Sequence, residues 1–106
     1  MDREAIWKEY HAELTREWRE MPGTARDMIP GHLQDGLDRY ICDRVRPGQF
    51  LCAVLGNDLL GAVRRADRLS YAGMPGIVEA LIGYAPATAW GSESKVAAWL
   101  LKGDGP

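Results

Sequence analysis

Trp7, Tyr10, Leu14, Trp18 and Met21 recur at spacings of three and four, with charged residues between them. That pattern predicts one amphipathic helix over residues 2–21, with Asp2 as its N-cap, Glu4 complementing its dipole and Pro22-Gly23 as its stop. A second helix is expected over 32–45, where Leu33, Leu37, Tyr40 and Ile41 share a face and Arg46-Pro47-Gly48 closes the run. Gly36 inside it suggests a close helix crossing. Pro47 suits the first turn of a third helix carrying Phe50, Leu51, Val54 and Leu55. Gly56-Asn57 reads as a stop followed by an N-cap, with a fourth helix over 58–68 and a single kinked helix over 47–68 as the alternative. Ser70-Tyr71-Ala72-Gly73 reads as a turn, Pro75 as the opening of a fifth helix ending at Ala85-Pro86, and Ser92 as the cap of a last helix holding Val96, Trp99 and Leu100 inward. No stretch alternates with period two for long enough to predict a strand. The expectation is an all-α, compact bundle of five to six short helices, made of an N-terminal amphipathic helix (1–22) and a helical core domain (29–102), with a disordered tail over 103–106.

The length of 106 residues matches one domain. Thirteen basic against fifteen acidic residues give a net charge of -2, and the acidic excess lies within the first twenty positions. Nucleic acid is therefore an unfavoured partner, because phosphate binding needs a basic footprint. No run of apolar residues is long enough to span a membrane. The N-terminus lacks the apolar core of a secretory signal, which makes a reducing cytosol the expected location. Cys42 and Cys52 lack metal-ligand spacing and read as small buried thiols, and no metal is expected. His11 and His32 are isolated and read as surface or capping residues.

Nothing in the chain has the form of a nucleophile elbow, an HExxH helix or a phosphate-cradling glycine loop, so an enzyme is not expected and no cofactor is implied. Two binding readings remain. In the first, arginines and helix N-termini hold a small nucleotide-like anion on which aromatic residues stack; its candidate residues are Arg39, Tyr40, Asn57, Asp58, Arg65, Asp67, Trp90 and Ser92. In the second, the Trp7/Tyr10/Leu14/Trp18 stripe, whose plainer role is to dock the helix on the chain's own core, is an interface with another chain. A helix-turn-helix around Gly56 is a third, weaker reading, because Arg65 falls where that motif needs an apolar contact.

Ile29-Pro30 with His32, Arg39-Tyr40-Ile41, Pro47-Gly48, Phe50-Leu51, Ala53-Val54-Leu55, Asn57-Asp58-Leu59, Arg65-Ala66-Asp67, Ile77-Val78, Ala85-Pro86, Trp90-Gly91-Ser92 and Trp99 form an ordered pattern. With it, the chain resembles a family of small uncharacterised accessory proteins of bacteriophages and prophages, and departs from that family at Ser70, Gly76 and Ile82-Gly83. The resemblance implies an all-α phage protein acting in the host bacterial cytosol as an antagonist of antiviral defence. The leading expectation is sequestration of a nucleotide-derived immune signal by a homo-oligomer. An inhibitor that caps a host defence protein is the alternative, followed by a small DNA-binding regulator.

Overall fold

The computed structural model describes residues 2–101, and its elements are all helical: α1 (Arg3–Leu14), α2 (Arg16–Arg19), α3 (Gly23–Arg26), α4 (Gly31–Asp43), α5 (Gln49–Leu55), α6 (Leu59–Arg65), α7 (Arg68–Tyr84), a 3₁₀ turn (Ala87–Ala89) and α8 (Glu93–Leu101). The all-α expectation holds, with more helices than the sequence pattern predicts, most of them shorter and α7 longer. The expected tail lies outside the described residues. No helix among those described is long and apolar enough to cross a membrane.

The first predicted helix is broken at Thr15. That residue is buried, and its hydroxyl donates to the His11 carbonyl (2.9 Å), a back-bond that competes with helix continuation. The break turns Trp18 into the core, where it is 1% exposed and its indole N–H donates to Asp38 (3.0 Å). Asp38 also pairs with Arg26, so α2, α3 and α4 meet at one carboxylate. The N-terminal segment is thus continuous with the core of the remaining helices.

The hub is α4, whose Leu37, Tyr40 and Ile41 are fully buried. Tyr40 donates its hydroxyl to the Ala89 carbonyl (2.6 Å), and Trp99 donates its indole N–H to the Tyr40 carbonyl (2.8 Å), which ties the 3₁₀ turn and α8 to α4. Burial pushes the Tyr40 phenol pKa up, so it stays a hydrogen-bond donor. Gly36 does mark a close crossing: a Cβ there would lie 3.3 Å from Leu51 of α5.

Gly56-Asn57 is a true break. Asn57 adopts the left-handed conformation (φ 61°), and Asp58, not Asn57, caps α6 by accepting from the Gly61 N–H (2.9 Å). The stretch expected to be a turn at Ser70–Gly73 is instead the start of α7. Asp67 caps that helix by accepting from the Ser70 N–H (2.7 Å), so the preceding helix ends at Arg65 rather than Arg68. The Ser70 hydrogen bonds hold the Asp67 carboxyl below its ordinary pKa. Pro75 lies inside α7 and leaves the Tyr71 carbonyl without its usual donor.

Gly73, expected in a turn, and Gly76 both serve packing within α7. A Cβ at Gly73 would collide with Pro30, and one at Gly76 would collide with the Met28 carbonyl oxygen and lie 2.9 Å from its carbon. Backbone cannot yield as a flexible side chain does, so Gly76→Ala is expected to cost about 2–3 kcal/mol and lower the melting temperature by about 10–20 °C. Gly83→Ala, on the open side of the same helix with nothing within 4 Å, is expected to stabilise by about 0.5–1 kcal/mol. Paired thermal melts check both, and equal melting temperatures for the two variants would contradict the close approach of α7 to residue 28.

Candidate functional site

The eight residues expected to bind a ligand do not form one site. Tyr40 is 0% exposed and bonded within the core, so it cannot stack on a base. Arg39 is on the surface, paired one helical turn back with Asp35 (3.1 Å). Asp67 and Ser92 are helix caps, the Ser92 hydroxyl accepting from the Lys95 N–H (3.2 Å). Asn57 occupies the α5–α6 turn. Trp90 is half-buried against the core, with its indole N–H shielded and unpartnered among the described residues. Only Asp58 and Arg65 share a cleft, of about 290 Å³, with Arg46, Gln49 and Glu93 around them. There the charges balance, and Arg65 is already engaged by Gln49 (3.3 Å) and the Gly61 carbonyl (3.2 Å).

A second cleft has the opposite character. About 300 Å³ in volume, it lies between α1, the 3₁₀ turn and α8, with Trp7, Tyr10 and Leu14 on one wall and Trp99, Ala98, Lys95, Ser94 and Thr88 on the other. Arg44 forms its floor. The lining holds two cationic side chains, aromatic rings and the hydroxyls of Tyr10, Thr88 and Ser94, with no carboxylate among the described residues. Three of the four residues expected at an interface therefore line this cleft, while the fourth, Trp18, is in the core.

Arg44 is built into the cleft floor from three directions. It follows the last turn of α4 in the left-handed conformation (φ 57°), where a helix ordinarily ends in glycine, and its N–H closes the helix by donating to the Tyr40 carbonyl (3.1 Å). Its guanidinium carbon lies 3.5 Å from the Trp99 ring centroid and 4.7 Å from that of Trp7. One terminal nitrogen donates to the Trp99 carbonyl (3.2 Å) and Nε to His11 Nδ1 (3.4 Å). The His11 tautomer follows from its other contact. Nε2 lies 2.6 Å from the Cys42 carbonyl, which only accepts, so Nε2 carries the proton and Nδ1 is free to accept from Arg44.

The electrostatics of this arrangement are unusual. Arg44 is only 7% exposed, yet no carboxylate among the described residues pairs with it, and all its partners are neutral. Burial lowers its pKa, but a guanidinium starts so high that it stays charged. A buried charge ordinarily has a counter-charge. Here the two indole faces take part of that role, and the open side of the cleft leaves room for an anion. Lys95 reinforces the same field, its ammonium resting on the Ala87 carbonyl (3.2 Å) at the first turn of α8.

Sequence reasoning missed Arg44, Lys95, Thr88 and Ser94 as site residues. Arg44 looks like one charge among several at a helix end, and its partners His11 and Trp99 lie 33 and 55 residues away. Comparison with known families, curated proteins and solved structures gives no match to this chain.

Proposed function

We propose that this protein is a non-catalytic binder that sequesters a small nucleotide-like anion in the Arg44 cleft. The observation that carries the reading is a buried guanidinium with no carboxylate partner among the described residues, held between two indoles at the floor of an aromatic-walled cleft whose described lining carries no negative charge. An anionic group seated there supplies the missing counter-charge, with Lys95 at its edge. Trp7 and Tyr10 offer faces for a heterocycle, Trp99 lies buried behind Arg44 as its support, and Ser94 and Thr88 offer hydroxyls for a sugar. The volume, at the lower end of the range of about 300–1,000 Å³ typical of small-molecule sites, suits one nucleoside unit with its phosphate rather than an oligonucleotide.

The resemblance to phage accessory proteins extends the proposal to biology. The ligand is then a nucleotide signal of the host's antiviral defence, and the protein acts by lowering its free concentration. Native mass spectrometry of the protein from cells with a triggered nucleotide-signalling defence tests this, beside protein from untriggered cells and the Arg44→Met variant. A discrete adduct of nucleotide mass, present only in the triggered wild-type sample, is expected. Bare protein in all three samples would contradict sequestration.

A further inference from the structure

The longest helix, α7, carries a second apolar stripe that the fold does not use. Its inner face is buried through Ser70, Ile77, Ala80 and Leu81. Its outer face presents Tyr71, Pro75, Val78 and Ile82 to solvent at spacings of four, three and four, the pattern of a helix that packs along another helix. Tyr71 is 60% and Ile82 64% exposed. Leu59 and Val63 of α6 widen this face into an open groove of about 650 Å³. The molecule measures 49 × 28 × 19 Å, about two helix layers deep, and no other element among the described residues covers this face, which stays open to solvent.

The charges bordering the stripe identify what fits it. Arg68 and Glu79 flank the stripe on one edge, eleven residues apart, one toward each end, and neither has an ion-pair partner among the described residues. A two-fold axis across α7 near Met74, midway between Arg68 and Glu79, lays the stripe of one copy against that of another running the opposite way. The same operation keeps each edge on its own side, so it sets the Arg68 of each copy beside the Glu79 of the other. A parallel pairing would place the two edges apart and leave both charges unmatched. The apolar stripe and its border are thus self-complementary under one symmetry operation, as an isologous contact requires.

We infer that the α6–α7 face docks a second copy of this chain, with the two α7 helices antiparallel. The inference is independent of the Arg44 cleft, which is built from α1, α8 and the 3₁₀ turn. Sedimentation equilibrium of the full chain across micromolar concentrations tests it, with circular dichroism to confirm that each variant is folded. The wild type is expected to dimerise, and Val78→Asp to be monomeric throughout. Arg68→Glu and Glu79→Arg should each weaken the dimer at least about tenfold by opposing like charges at both ends, and the double reversal should restore it. A monomeric wild type at about 100 µM overturns the inference. So does a dimer indifferent to the single reversals, or one that the double reversal fails to rescue.

Discussion

Arg44→Met is expected to abolish anion binding while leaving the melting temperature within a few degrees of the wild type. The stability side follows from opposing magnitudes. The guanidinium gains about 1–2 kcal/mol from each desolvated indole contact and loses several kcal/mol through burial away from water with no carboxylate partner among the described residues. Methionine has a similar length, fills the slot between Trp7 and Trp99, and removes the desolvated charge. It occupies the same left-handed backbone position at comparable strain, so the comparison isolates the side chain. Residues that contribute little to folding and much to a ligand mark a functional site. The readouts are a thermal melt and an equilibrium binding titration with a mononucleotide. A large loss of stability with binding retained would make Arg44 a packing residue.

Trp18→Ala carries the largest expected effect on stability. The indole is 1% exposed and bonded to Asp38, and truncating a buried tryptophan costs about 3–5 kcal/mol. Against a total of about 5–15 kcal/mol for a domain of this kind, that is a large fraction of the fold's stability. A fall of roughly 20 °C in melting temperature is expected. Trp18→Phe keeps most of the packing and leaves Asp38 with Arg26, so its cost should be only about 1–2 kcal/mol. Little change in the alanine variant would show that the N-terminal segment is not part of the core, against the packing of α2 on α4.

Much of this architecture was legible from local pattern. The break at Gly56-Asn57, the inward Leu51 and Leu55, the terminating Ala85-Pro86 and the close approach at Gly36 follow from periodicity and the chemistry of glycine and proline. The errors share a physical origin in tertiary contact. Gly73 looks like a turn residue in sequence, but it lies in a helix capped by Asp67, and it is glycine because Pro30 presses against it. Thr15 looks like an ordinary helical position, but its burial and back-bond end α1 and redirect Trp18.

The site was legible in kind rather than in place. A cationic, aromatic inventory is visible in the sequence, but proximity is not. Tyr40 has the periodicity of a core residue and the chemistry of a stacking residue, and burial decided for the core. Asp58, Asp67 and Ser92 are cap-forming residue types at helix starts, and capping is the role they take. Trp7, Tyr10 and Leu14, whose stripe suits either the chain's own core or a partner, face the chain's own α8 across the cleft.

The most direct test of the Arg44 cleft is a ¹H–¹⁵N titration of the four indole N–H resonances with a mononucleotide and with a cyclic dinucleotide. Trp7 and Trp99 line the cleft, while Trp18 and Trp90 do not. Saturable shifts of Trp7 and Trp99, with Trp18 and Trp90 unmoved and no shifts in Arg44→Met, are the predicted result. Four unmoved indoles at millimolar nucleotide, or a response confined to Trp90, would contradict the account.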